Sequence, residues 1–65
     1  MYKNKINEYR IEKQMTIKEL AKKAGISAGY LCHLEKGNRQ NPSRNVMQNI
    51  AKALEKPIAE IFFIE

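Results

Sequence analysis

Apolar residues recur along this chain at helical spacing in five short runs, each bounded by residues that start or stop helices. Ile6 and Tyr9 share a stripe with Arg10 and predict a first helix over about residues 3–13. The string Thr16-Ile17-Lys18-Glu19 has capping-box spacing and starts a second helix over about 16–24. Leu20, Ala21 and Ala24 form its inward face, and Gly25 ends it where a left-handed residue is wanted. Ser27 caps a third helix over about 27–36, which Gly37 closes. Residues 38–43 read as a loop by composition. Ser43 caps a fourth helix over about 44–54, with Met47, Ile50, Ala51 and Leu54 on one face. Pro57 suits the entry to a fifth, over about 58–63, that turns Ile58, Ile61 and Phe62 inward while Phe63 and Ile64 trail from it. No strand is predicted. The expected fold is all-α, a single compact five-helix domain over residues 1–65.

The second and third runs nearly touch. Ala21 at mid-helix and Gly25 in the turn are small enough for two helix axes to approach closely at a sharp angle, which is helix-turn-helix geometry. A plain αα-hairpin needs a glycine turn as well, but it demands nothing of the outer face. On the third helix Leu31 and Leu34 point inward, with Tyr30 and Glu35 at the margins. Ala28, Gly29, Cys32, His33 and Lys36 take the opposite side. That side is low and lacks the long charges of alternating sign usual on a solvated face. Gly29 costs about 1 kcal/mol there relative to alanine. A low face suits close approach to another surface, and the major groove of DNA admits a helix.

Charge sharpens this picture. The 65 residues carry 12 Lys+Arg against 7 Asp+Glu, a net +5. Residues 1–44 hold ten of the basic and four of the acidic residues, and the remainder is slightly acidic. A basic front and a near-neutral tail fit a polyanion footprint plus a separate packing or pairing segment. No apolar run approaches the roughly 20 residues of a membrane span, the N-terminus lacks a signal-peptide pattern, and one cysteine excludes an internal disulfide framework. A soluble cytoplasmic protein is expected. One His, one Cys, no Asp and no glycine-rich phosphate loop argue against an enzyme. Cys32 and His33 diverge around the helix and have no further Cys or His to complete a shell, so no metal is expected. No cofactor or small-molecule ligand is implied.

Taken together, T-I-K-E-L-A-K-K-A-G-I-S, Y-L-C-H-L-E-K-G and N-P-S resemble the phage repressor and Cro type of helix-turn-helix protein, also called the xenobiotic-response-element family. The resemblance covers about residues 3–63. It implies that the second helix positions and the third recognises DNA, with Ala28, Gly29, Cys32 and His33 at base edges. It places Thr16, Ile17, Ser27, Asn38, Arg39 and Arg44 at phosphates, and it makes Arg10 and Glu35 a partly buried ion pair joining the first helix to the third. The chain departs from the family pattern at Gln14 and Glu55, where relatives often carry glycine, and at Pro57, in place of a common serine cap. The base-edge positions also lack the Gln, Arg or Asn that give bidentate readout.

Read residue by residue, His33 is either a donor to guanine or phosphate or a solvent-exposed histidine. Cys32 either packs on a thymine methyl or is an exposed thiol without a role. Tyr30 is read as a packed ring, and Lys36 joins Arg39 and Arg44 as phosphate contacts that fix register. The expected function is a transcriptional regulator, a repressor, binding double-stranded DNA at a palindromic operator as a homodimer. Its pairing surface is expected in the tail: Pro57, Ile58, Phe62, Phe63 and Ile64. The alternatives are a protein-interaction module, or an antitoxin or immunity component, on the same fold.

Overall fold

A computed structural model describes residues 2–37 and 42–64, with the side chains of Tyr2, Lys3 and Ile64 left aside. Among the described residues the order is β1 (Tyr2–Asn4), α1 (Ile6–Glu12), α2 (Ile17–Ala24), α3 (Ala28–Glu35), α4 (Arg44–Leu54), α5 (Ile58–Ile61) and β2 (Phe62–Ile64). The five-helix, mainly α architecture is the expected one. The middle three helices start where their caps predict. Thr16 Oγ1 accepts from the Glu19 amide at 3.1 Å and Glu19 Oε1 accepts from the Thr16 amide at 2.8 Å, closing the capping box. The Ser27 and Ser43 hydroxyls accept from the amides of Tyr30 and Val46.

The ends differ from expectation. Residues 3 and 4 are extended, not helical, and β1 pairs antiparallel with β2 in the register Tyr2↔Ile64, Lys3↔Phe63, Asn4↔Phe62. Helix α5 stops at Ile61 because Phe62 adopts φ −116°, ψ 125° and joins that pair. Six residues in two strands are too few to signal by periodicity, and the partners lie at opposite ends of the chain. Helix α1 ends early as well: Gln14 takes φ 57°, and the Met15 amide closes back on the Arg10 carbonyl. Glu55 ends α4 at φ 57° in the same way. The two family glycine positions occupied by other residues therefore keep the left-handed conformation, at a cost that glycine would avoid.

The core gathers Ile6, Leu20, Ala21, Ala24, Leu31, Leu34, Ile50, Ala51, Leu54, Ile61 and Phe62. Six of these side chains are fully buried: Ile6, Leu20, Leu31, Ile50, Leu54 and Ile61. Each contributes about 1.5–3 kcal/mol of hydrophobic transfer. Helix α2 lies at the centre, packed on both α3 and α4. Phe62 corrects the expected pairing surface: it is only 7% exposed and belongs to this chain's own core. Of the remaining tail residues, Pro57 is exposed and Ile58 and Phe63 are half-buried. Among the described residues no helix is long and apolar enough to cross a membrane.

Candidate nucleic-acid interface

The link between α2 and α3 is built by Gly25 in the left-handed conformation, φ 73°, with the Ile26 amide donating to the Ala21 carbonyl at 3.0 Å. A Cβ at Gly25 would meet nothing within 4 Å, so the expected need for space in the turn is corrected: glycine serves there for its dihedral angle alone. Ala21, 2% exposed, keeps the steric role at the crossing. After one extended residue, Ser27, the chain restarts as α3.

Leu31 and Leu34 are the buried residues of α3, and Tyr30 and Glu35 flank them half-buried. On the far side Gly29 and His33 are exposed, and Ala28 and Cys32 are half-buried at its edges. The surface beside Gly29 is open, since a Cβ built there would touch nothing within 4 Å. Thus Ala28, Gly29, Cys32 and His33 share one low face, open beside Gly29.

The candidate phosphate groups within the described residues lie at helix ends. Thr16 and Ser27 are exposed at the N-termini of α2 and α3, Lys36 follows α3, and Arg44 opens α4. The Thr16 amide is taken by the Glu19 carboxyl and the Glu19 amide by the Thr16 hydroxyl, so the first-turn amides that these bonds leave at α2 are those of Ile17 and Lys18. Hydrogen bonding to the Thr16 amide first, and to its hydroxyl second, holds the Glu19 carboxyl below the usual glutamate range. Asn38 and Arg39 lie outside the described residues. Lys18, Lys22 and Lys23 add exposed positive charge on α2 that the motif reading passed over.

The end of α3 is held by side chains of the N-terminal segment. Arg10 Nε donates to Glu35 Oε2 at 2.8 Å and Nη2 to Oε1 at 3.3 Å, with the two side chains 14% and 6% exposed. Arg10 Nη1 also donates to the Met15 carbonyl at 2.8 Å. Asn7 and Asn4 were missed by sequence reasoning. Asn7 Nδ2 donates to Glu35 Oε1 at 3.1 Å, and Asn4 Nδ2 to the Leu34 carbonyl at 2.7 Å. An asparagine just ahead of a helix is a cap or turn signal that could have found Asn4. Asn7 carries no such signal. Among the described residues no group of three or more His, Cys, Asp or Glu could hold a metal ion.

A helix-turn-helix family model matches residues 6–61 of this sequence. The chain belongs to the Cro/C1-type helix-turn-helix family. This is a non-enzymatic family. The HTH-type transcriptional regulator SinR of Bacillus subtilis is 34% identical over 55 residues, covering 85% of this chain and 50% of SinR. The chain thus spans half the length of that curated relative. An uncharacterized HTH-type transcriptional regulator of Methanocaldococcus jannaschii, MJ0272, is 38% identical over 63 residues, covering 97% of this chain and 94% of its own. Among solved structures, SinR in complex with DNA is similar at TM-score 0.76 and 34% identity, covering 82% of this chain and 84% of that one. The SinR–SinI protein complex matches at TM-score 0.77 and 34% identity, covering 82% of this helix-turn-helix chain and 52% of that one.

Proposed function

We propose that this chain is a DNA-binding transcriptional repressor that acts in the cytoplasm as a two-fold dimer on a palindromic operator. The observation that carries the reading is the low, open outer face of α3, which follows the Gly25 turn. Ala28, Gly29, Cys32 and His33 meet base edges in the major groove. Thr16, Ile17, Ser27, Lys36, Asn38, Arg39 and Arg44 meet phosphates and fix register. Half-sites then lie about one helical turn apart. The small set of hydrogen-bonding groups on α3 makes sequence-dependent DNA shape a large part of the selectivity. A relative of this fold solved with DNA supports the docking mode.

Pairing of two copies uses the part of the tail that the core leaves available, Pro57, Ile58 and Phe63, with Ile64 beside them. Residues 1–65 are read as a single helix-turn-helix DNA-binding domain. A second reading, a module that binds a protein partner, draws on the relative solved as a complex with SinI.

Selection from a random duplex pool tests the proposal directly: a symmetric consensus with two half-sites is expected. Affinity for the selected duplex is then expected to fall at least about tenfold between about 50 and about 200 mM salt, as phosphate neutralisation demands. Absence of binding at the lower salt would favour the protein-partner reading.

A further inference from the structure

We infer that Asn4 is a positioning residue for the recognition helix, fastening the backbone of its last turn to the terminal β-ribbon. The inference rests on α3 being the DNA-reading helix. Only Leu31 and Leu34 of α3 are buried, so its core anchors are few and the restraint on its ends matters. The last carbonyls of any helix lack intrahelical donors. At Leu34 that carbonyl receives two: the Gly37 amide at 3.1 Å and Asn4 Nδ2 at 2.7 Å. The other face of the same amide group accepts from the Ile6 amide at 3.2 Å. Both bonds fix the orientation of the Asn4 side chain, since a flipped amide would oppose like groups at each end.

Asn4 is in turn fixed from behind. It pairs with Phe62 in the ribbon, Phe62 is buried in the core, and the next amide, Lys5, donates to the Ile61 carbonyl at 2.8 Å. On α3 the bonds of Arg10 and Asn7 reach the Glu35 side chain, whose own rotamers stand between them and the helix backbone. Asn4 grips the backbone itself, one residue beyond His33. The pitch of α3 against the body, and with it the register of Cys32 and His33 on a groove, therefore depends on a contact made from β1, the first strand of the terminal ribbon.

Asn4→Ser tests this without changing charge. A serine hydroxyl can still accept from the Ile6 amide but is too short to reach Leu34. Amide hydrogen exchange on the free protein is expected to quicken about fivefold at Glu35, Lys36 and Gly37, the size of effect one hydrogen bond gives, while Leu20 and Ala24 in α2 stay within twofold. The ratio of affinity for the selected duplex over a random duplex is expected to fall about fivefold, with random-duplex affinity unchanged. Uniform acceleration across α2 and α3, including outright loss of the fold, would overturn the inference, as would wild-type exchange at α3. A variant with loosened α3 but an unchanged affinity ratio would overturn the positioning role. If the wild-type protein bound no duplex at all, the regulator reading would fall, and the exchange pattern alone would decide whether Asn4 fastens α3.

Discussion

Gly29 is the residue at which folding and proposed function pull in opposite directions. It sits in α3 with open space beside it, so alanine fits without a clash. Gly29→Ala is expected to gain about 1 kcal/mol of helix propensity and raise Tm by about 4–8 °C. The same methyl projects from the low face, and affinity for the selected duplex is expected to fall; tighter binding would show that the face needs no close approach. Glu19 supplies a second test at this scale. Its carboxyl titrates lower in the folded protein than in the unfolded chain because the Thr16 amide and hydroxyl favour the ionised form. The contribution of the capping box is therefore complete above the unfolded value and is lost as pH falls through the folded one. Glu19→Gln keeps an oxygen for the Thr16 amide and removes the titration. Urea unfolding from about pH 6 to about pH 3 is expected to show a shallower loss for Glu19→Gln than for wild type, and parallel curves would contradict it.

Elements here are short, and their relative placement rests on side chains that cross between them. Arg10 joins α1, the turn at Met15 and the end of α3 through three donors. Arg10→Met strands the largely buried Glu35 carboxylate and is expected to cost about 3–5 kcal/mol. Adding Glu35→Leu is expected to restore a large part of that loss, because an apolar pair of similar volume needs no ionic partner. Thermal unfolding of the single and double variants decides the point; a double variant no better than the single would show that the pair's neighbours, Asn7 and the Met15 carbonyl, dominate. The boundaries of α2, α3 and α4 were legible in the sequence because each has a Ser or Thr cap whose hydrogen bonds are local. The boundaries of α1 and α5 were not. Gln14 ends α1 with a residue that does not announce a left-handed turn, and Phe62 reads as one more apolar helical position until its strand partner is in place.

For the whole molecule, the charge division and the tail are the features that bear on assembly. The 27 × 21 × 19 Å body draws its core from both ends of the chain. Phe62 is committed to that core, so the tail offers less apolar surface than its sequence promised. Phe63 stands half-buried, with Lys5 Nζ 5.9 Å from its ring centre. In the proposed dimer, Phe63→Glu is expected to abolish pairing, leaving a monomer by sedimentation with Tm within a few degrees of wild type. Equal sedimentation of variant and wild type would remove Phe63 from the pairing surface.

What the sequence determined by itself is whatever depends on residues close in the chain: the helical runs, three caps, the left-handed glycine between α2 and α3, and the small-residue outer face of α3. The family motifs are local in the same sense, and so the fold class followed from them. Tertiary structure decided the rest. Pairing of Tyr2–Asn4 with Phe62–Ile64 links positions at opposite ends of the chain, where no local pattern records the choice between helix and strand. The same closure draws Phe62 into the core and sets Asn4 against the Leu34 carbonyl, because a backbone hydrogen bond between distant segments is available only once the helices have packed.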